Sequence, residues 1–152
     1  MLDVRMLATS SASVSSRDLE TTIPISLWRR ATFAFGAFLA LVIAGANLGL
    51  PLPIFDWVVY LPGGDFGGHA LLVGTLAFFA GGAMPKKVGG VISTGALIVA
   101  LLIVGEEFSQ LWLEHRSFSR WDLLGDAIGI VLAESLRRRG SLILRRILCM
   151  LK

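Results

Sequence analysis

Charge is scarce in this chain. Asp, Glu, Lys and Arg make up 16% of its 152 residues, 55% are hydrophobic, and mean hydropathy is +0.74. So few ionic groups cannot clothe the surface of a water-soluble domain of this size, which excludes an ordinary soluble fold and makes a bilayer the natural solvent. Cysteine is nearly absent. With Cys149 alone there is neither an internal disulfide nor a CxxC metal pair, so redox chemistry is not a theme, and Cys149 reads as a packing residue ahead of a lipidation site. The formal charge of +3 comes without a basic groove or an aromatic-stacking motif, which argues against nucleic acid as a partner. Basic residues beside apolar runs read instead as topology signals and contacts for membrane lipids.

What the chain does have is long apolar runs. Residues 1–26 are Ser/Thr-rich without sustained apolar periodicity, and we expect a flexible cytoplasmic tail. Residues 31–55 are uncharged up to their end and follow Arg29 and Arg30; their first part is expected to be a helix long enough for a hydrocarbon core of about 30 Å. Ala44-Gly45-Ala46 is similar to a signal-peptidase site, but the polar segment before the run favours an uncleaved anchor. Pro51, Pro53, Pro62 and a cluster of glycines then predict an irregular connection, in which Trp57 and Tyr60 suit an interface. A second run covers 66–85, a third covers 88 to about 113, and a fourth, from 121 to about 136, is weakened by Asp122, Asp126 and Glu134. Beyond Gly140, Leu144, Ile147, Leu148 and Leu151 recur at helical spacing beside basic residues, the pattern of an interfacial helix.

The expected fold is therefore an all-α integral membrane protein, a bundle of about four transmembrane helices over 27–136, with tails over 1–26 and 137–152. Counting spans puts twelve of the fourteen Lys and Arg residues on one side, which should be the cytoplasm and should hold both termini. Arg116 and Arg120 fall on the other side, between spans three and four.

That other side also collects the unusual polar residues. His69 opens span two, Glu106, Glu107 and Gln110 close span three, and Asp122 and Asp126 open span four. Glu107 lies nineteen residues beyond Val88, about 28 Å at helical rise, near the far edge of the core. Glu107 with Gln110, and Asp122 with Asp126, have the spacing of one helix face, the latter pair shared with Gly129 in the close-packing pattern Gly125-x-x-x-Gly129. An ionised carboxylate at mid-bilayer costs about 2.5–3.5 kcal/mol, so these acids should face a protein-lined cavity. Each could equally be an interface residue, or half of an interhelical tie to Arg116 or Arg120.

Three chemistries fit the group. His69 with carboxylates from two helices could bind a divalent metal, although no HExxH-like spacing supports one, and no metal or other cofactor is expected. Paired acids near Arg116 could perform acid–base work on a phosphate- or carboxylate-bearing envelope molecule. A binding or proton-linked site would need the same residues without turnover.

Asp65 and His69 four apart before an apolar span, then Glu106-Glu107-Phe108-Ser109-Gln110 ending the next, then Arg116, Asp122, Asp126 and Gly129, resemble the pattern of the VanZ-like family of bacterial membrane proteins. The resemblance runs from about residue 31 to 133. Asp126 stands where that family usually has Asn, and Glu106 where it usually has Asp. The resemblance implies a helical protein of the bacterial plasma membrane and cell envelope, some of whose relatives are linked to glycopeptide (teicoplanin) resistance. It implies a site at His69, Glu106, Glu107, Gln110, Arg116, Asp122 and Asp126, supported by Asp65 and Gly129. It names no reaction, ligand or oligomeric state: a membrane-embedded enzyme would act on a lipid-linked or cell-wall precursor, and a non-enzymatic member would be an accessory or transport-like module.

Overall fold

A computed structural model describes residues 23–51, 53, 60–113 and 118–150, without the side chains beyond 140. Most of the expected tail over 1–26 lies outside these residues, although Ile25 and Ser26 already belong to the first helix. That helix, α1, spans Ile25–Asn47. Pro24, with extended ψ and no N–H to waste, sits immediately before it, so Arg29 and Arg30 lie within its first turns rather than ahead of it. Gly49 ends it by taking φ 67°, which lets the Leu50 N–H donate to the Gly45 carbonyl at 2.9 Å. The first helix thus ends at Asn47, well before the end of the apolar run, of which residues 52, 54 and 55 lie outside the described residues.

Helix α2 spans Asp65–Ala83. A short hairpin follows, β1 (Lys87–Val88) pairing antiparallel with β2 (Ile92–Ser93). Its turn needs positive φ at both Gly89 (59°) and Gly90 (72°), a conformation glycine adopts without steric cost, and Val91 N–H closes it onto the Val88 carbonyl at 3.2 Å. This hairpin corrects the third apolar run. Helix α3 begins at Thr94, not Val88, because Ser93 caps it by accepting from the Ala96 N–H at 3.3 Å. It runs to Ser109 and tightens into a 3-10 turn over Gln110–Trp112. Helix α4 spans Arg120–Met150 without a break at Gly140, so the basic, Leu-rich segment after 140 continues this helix rather than forming a separate one.

Among the described residues three helical stretches, Ile25–Asn47, Asp65–Ala83 and Thr94–Trp112, are long and apolar enough to cross a membrane. Helix α4 is long enough, but its acids and arginines keep it out of that group, as the weak fourth run foreshadowed. Large apolar side chains face outward on the helices, including Phe33, Leu41, Leu101, Leu102, Val131 and Leu136, while Ser93, Glu107, Gln110, Asp122, Asp126 and Glu134 are buried. The distribution inverts that of a protein packed for water.

Helix α2 is the centre of the packing, touching α1, α3 and α4. Small residues allow this. Val73, Ala77 and Ala80 of α2, Ala96 and Val99 of α3, and Ile130 and Ala133 of α4 form the core. A Cβ on Gly129 would run into the Ala70 carbonyl oxygen, one on Gly74 would come within 2.9 Å of the Gly129 carbonyl, and one on Gly125 within 2.7 Å of the Phe66 carbonyl. The Gly125-x-x-x-Gly129 pattern is therefore the face on which α4 meets α2, at backbone contact. The successive pairs 66 with 125, 74 with 129 and 81 with 137 make the two helices run parallel. Gly95 against Ala80, and Gly82 against Trp28, make α3 and α1 antiparallel to α2.

Candidate functional site

These directions bring the start of α2, the end of α3 and the start of α4 to one end of the bundle. His69 lies one turn into α2, half-buried. Its Nδ1 is 3.1 Å from Asp126 Oδ1 and its Nε2 is 3.6 Å from Asp122 Oδ2, so one imidazole stands between two aspartates of α4. The close α2–α4 approach sets this spacing, since a Cβ on Gly125 would already be 3.3 Å from the His69 Cβ. Asp122 and Asp126 are one turn apart on the face that also carries Gly125 and Gly129. Ser119 fixes the start of that helix by accepting from the Asp122 N–H at 3.3 Å.

Helix α3 supplies the other wall. Glu107 is fully buried and Gln110 nearly so, and the Gln110 Nε2 donates to Glu107 Oε1 at 3.1 Å and to Glu106 Oε2 at 3.0 Å. Because α3 starts at Thr94, Glu107 is thirteen residues from the start of its helix and five from Trp112, about 7–8 Å inside the end at helical rise. Counted from Thr94, it lies about 20 Å along its helix rather than about 28 Å. One ligand-type atom from each of His69, Glu107 and Asp126 lies within 4.8 Å of the others, and the same holds for Asp65, His69 and Asp122.

The site is rich in acceptors. Glu106 Oε1, Glu107 Oε2, Gln110 Oε1 and Asp126 Oδ2 are buried without a hydrogen-bond partner among the described residues. Among these residues His69 is the one basic group in ion-pair range of its acids. A buried polar atom left unpaired costs about 1–3 kcal/mol, more when it is charged, so four at one place leave this end of the bundle short of donors among the described residues.

Of the residues singled out from sequence, His69, Glu106, Glu107, Gln110, Asp122 and Asp126 come together, with Asp65 exposed at the rim and Gly129 one turn below as the packing contact. Arg116 lies outside the described residues, as does His115. Arg120 opens α4 on its exposed side. Glu134 belongs elsewhere. It is buried near the opposite end, where Ser93 Oγ donates to its Oε1 at 2.6 Å and Arg137 Nη1 donates to the same oxygen at 2.9 Å, while Arg138 donates to the Val91 carbonyl. Sequence reading missed this tie and the Ser119 cap; Ser119-x-x-Asp122 is a capping pattern that could have revealed the second. It also passed over Asn47, whose buried Oδ1 at the end of α1 lacks a partner among the described residues and which is the sole strongly polar side chain between Thr32 and Leu50. Comparison with known proteins finds no matching family model, no matching curated protein and no matching solved structure.

Proposed function

We propose that this chain is a four-pass, VanZ-like protein of a bacterial plasma membrane, with both termini cytoplasmic, whose acid–histidine site at the outer end of the bundle binds a donor-bearing group of an envelope precursor. One observation carries the reading: three helices deliver His69, Glu107, Gln110, Asp122 and Asp126 to a single spot where Glu107 Oε2, Gln110 Oε1 and Asp126 Oδ2 are buried without a donor among the described residues. Ionisable groups at membrane depth are costly, so a cluster of them held by close helix packing is spent on function. A fourth crossing is consistent with α4, which turns Asp122, Asp126 and Glu134 inward and Val131, Leu132 and Leu136 outward. Arg116 is the side chain expected to meet an anionic part of the precursor.

A second reading follows from the placement of His69. An imidazole between two carboxylates can take a proton on one nitrogen and release one from the other, the equipment of an acid–base catalyst acting on the same precursor.

The test replaces Asp126 by Asn and Glu107 by Gln in a bacterial host and follows membrane abundance, lipids co-purified in native membrane fragments, and teicoplanin susceptibility. We expect near-normal abundance with loss of a bound lipid species or a changed susceptibility. Lipid content and susceptibility equal to wild type in both variants would refute binding at this site. A chemically altered precursor accumulating with the wild-type protein but not with His69→Ala would favour the catalytic reading.

A further inference from the structure

We propose that His69, Glu107 and Asp126 bind a divalent transition-metal ion of the zinc, manganese or iron(II) class, with Asp122 orienting the histidine. The inference deepens the reading above and rests on its premise that this end of the bundle receives a ligand.

The geometry of the three side chains is that of a metal set slightly opened. Two ligands each about 2.1 Å from one ion, at tetrahedral to octahedral angles, are roughly 3.0–3.4 Å apart. His69 Nδ1 and Asp126 Oδ1 are 3.1 Å apart, inside that interval. The full triad spans no more than 4.8 Å, so closing on an ion asks these atoms to draw together by at most about 1.8 Å. The three ligands come from α2, α3 and α4, so binding would lock together elements that otherwise meet through small residues.

The buried oxygens point the same way independently. Glu107 is 0% and Asp126 2% exposed, yet Glu107 Oε2 and Asp126 Oδ2 have no hydrogen-bond donor among the described residues. Two carboxylates balance a dication, and an ion between them would remove the charge that burial penalises, reaching Asp126 Oδ2 and Glu107 Oε2 as well where each carboxylate binds through both oxygens or turns. Gln110 already uses its amide N–H groups to hold Glu107 and Glu106, which fixes the Glu107 carboxylate in place without supplying the missing partner.

The ring orientation selects the residues and the metal class. A metal-bound histidine directs its other N–H at a carboxylate, and with Nδ1 toward the ion the Nε2 faces Asp122 Oδ2, 3.6 Å away. One imidazole and two carboxylates suit zinc, manganese or iron(II), whereas calcium and magnesium favour all-oxygen shells. The alternative triad of Asp65, His69 and Asp122 uses the same histidine, but the Asp65 carboxylate is exposed and water can satisfy it.

The experiment uses the full chain purified in detergent, stripped with a chelator, desalted and titrated with zinc, with metal content by mass spectrometry and cobalt(II) absorption as a coordination probe. We expect about one zinc per chain, a zinc-dependent rise in Tm and a visible cobalt band. Glu107→Gln and Asp126→Asn should each weaken zinc binding by at least about tenfold, and Asp122→Asn by about 10- to 100-fold through the histidine it orients, while Asp65→Asn binds like wild type. If the variants fail to fold, the wild-type titration and cobalt spectrum decide alone. Wild-type protein that retains no zinc, manganese or iron at a stoichiometric level overturns the proposal, as does loss of zinc in Asp65→Asn with retention in Asp126→Asn. Should that metal-free protein still lose its bound lipid on Asp126→Asn, the ion is wrong and the ligand site stands. Stoichiometric zinc with no change in lipid or susceptibility supports the ion and removes the envelope precursor.

Discussion

Individual side chains divide the buried acids of this protein into two kinds. Glu134 has its partners: Ser93 Oγ at 2.6 Å and Arg137 Nη1 at 2.9 Å both donate to it, and the same Ser93 oxygen caps α3 by accepting from Ala96 N–H. Glu107 and Asp126 each keep an oxygen that nothing among the described residues satisfies. The first arrangement is a structural tie and the second a receptive surface. Ser93→Ala should therefore cost stability and leave ligand binding intact. It deletes a helix cap and a buried hydrogen bond, together about 1–2 kcal/mol. A lowered Tm in detergent with unchanged lipid and metal content is the expected result, and an unchanged Tm would show that the tie does not hold the helices.

At the scale of elements, glycine positions set how α2 and α4 meet. Gly129 lets the α4 backbone approach the Ala70 carbonyl, and the resulting register carries Asp126 to His69 one turn away. Gly129→Val should push the helices apart, costing about 1–3 kcal/mol from overpacking, and should weaken ligand binding with no change to any polar group. Gly105 on α3 is the matched control. A Cβ there meets nothing within 4 Å, so Gly105→Ala should be neutral or stabilise by about 0.5–1 kcal/mol through helix propensity. Thermal unfolding of the two variants side by side checks the contrast; equal effects would mean that helix propensity, not interhelical contact, governs both.

Across the whole molecule, charge is sorted by end. The antiparallel pairing of Trp28 with Gly82, and the contact of Gly81 with Arg137, gather Arg29, Arg30, Lys86, Lys87 and Arg137–Arg139 at the end opposite His69 and its carboxylates. On the proposed orientation the basic end stays cytoplasmic and the acid–histidine site faces out. Cysteine-accessibility labelling in a Cys149→Ser background checks this. A cysteine at Ser15 should react only after the membrane is permeabilised and one at Tyr60 should react from outside; labelling of the Ser15 position from outside would invert the orientation.

The sequence by itself determined the composition of each layer: three apolar helices, a fourth weakened by acids, and polar residues gathered at the ends of runs. These are local properties, legible because helical periodicity and helix-breaking residues act over a few positions. Alternation of direction along the chain was enough to expect His69, Glu107, Gln110, Asp122 and Asp126 at a common end. Tertiary structure alone decided which acids meet which partners. His69 and Asp126 are 57 positions apart, and Ser93 and Glu134 are 41 apart; no local pattern encodes either pair. Their contact depends on the register between helices, fixed where Gly74, Gly125 and Gly129 let backbones touch. The depth of Glu107 was likewise set by a hairpin that the hydropathy of residues 88–93 hides, because Gly89 and Gly90 reverse the chain before Ser93 starts the helix. Apolar content decides that a segment belongs in the bundle, whereas close approach of backbones decides whether its one or two carboxylates become a tie or a site.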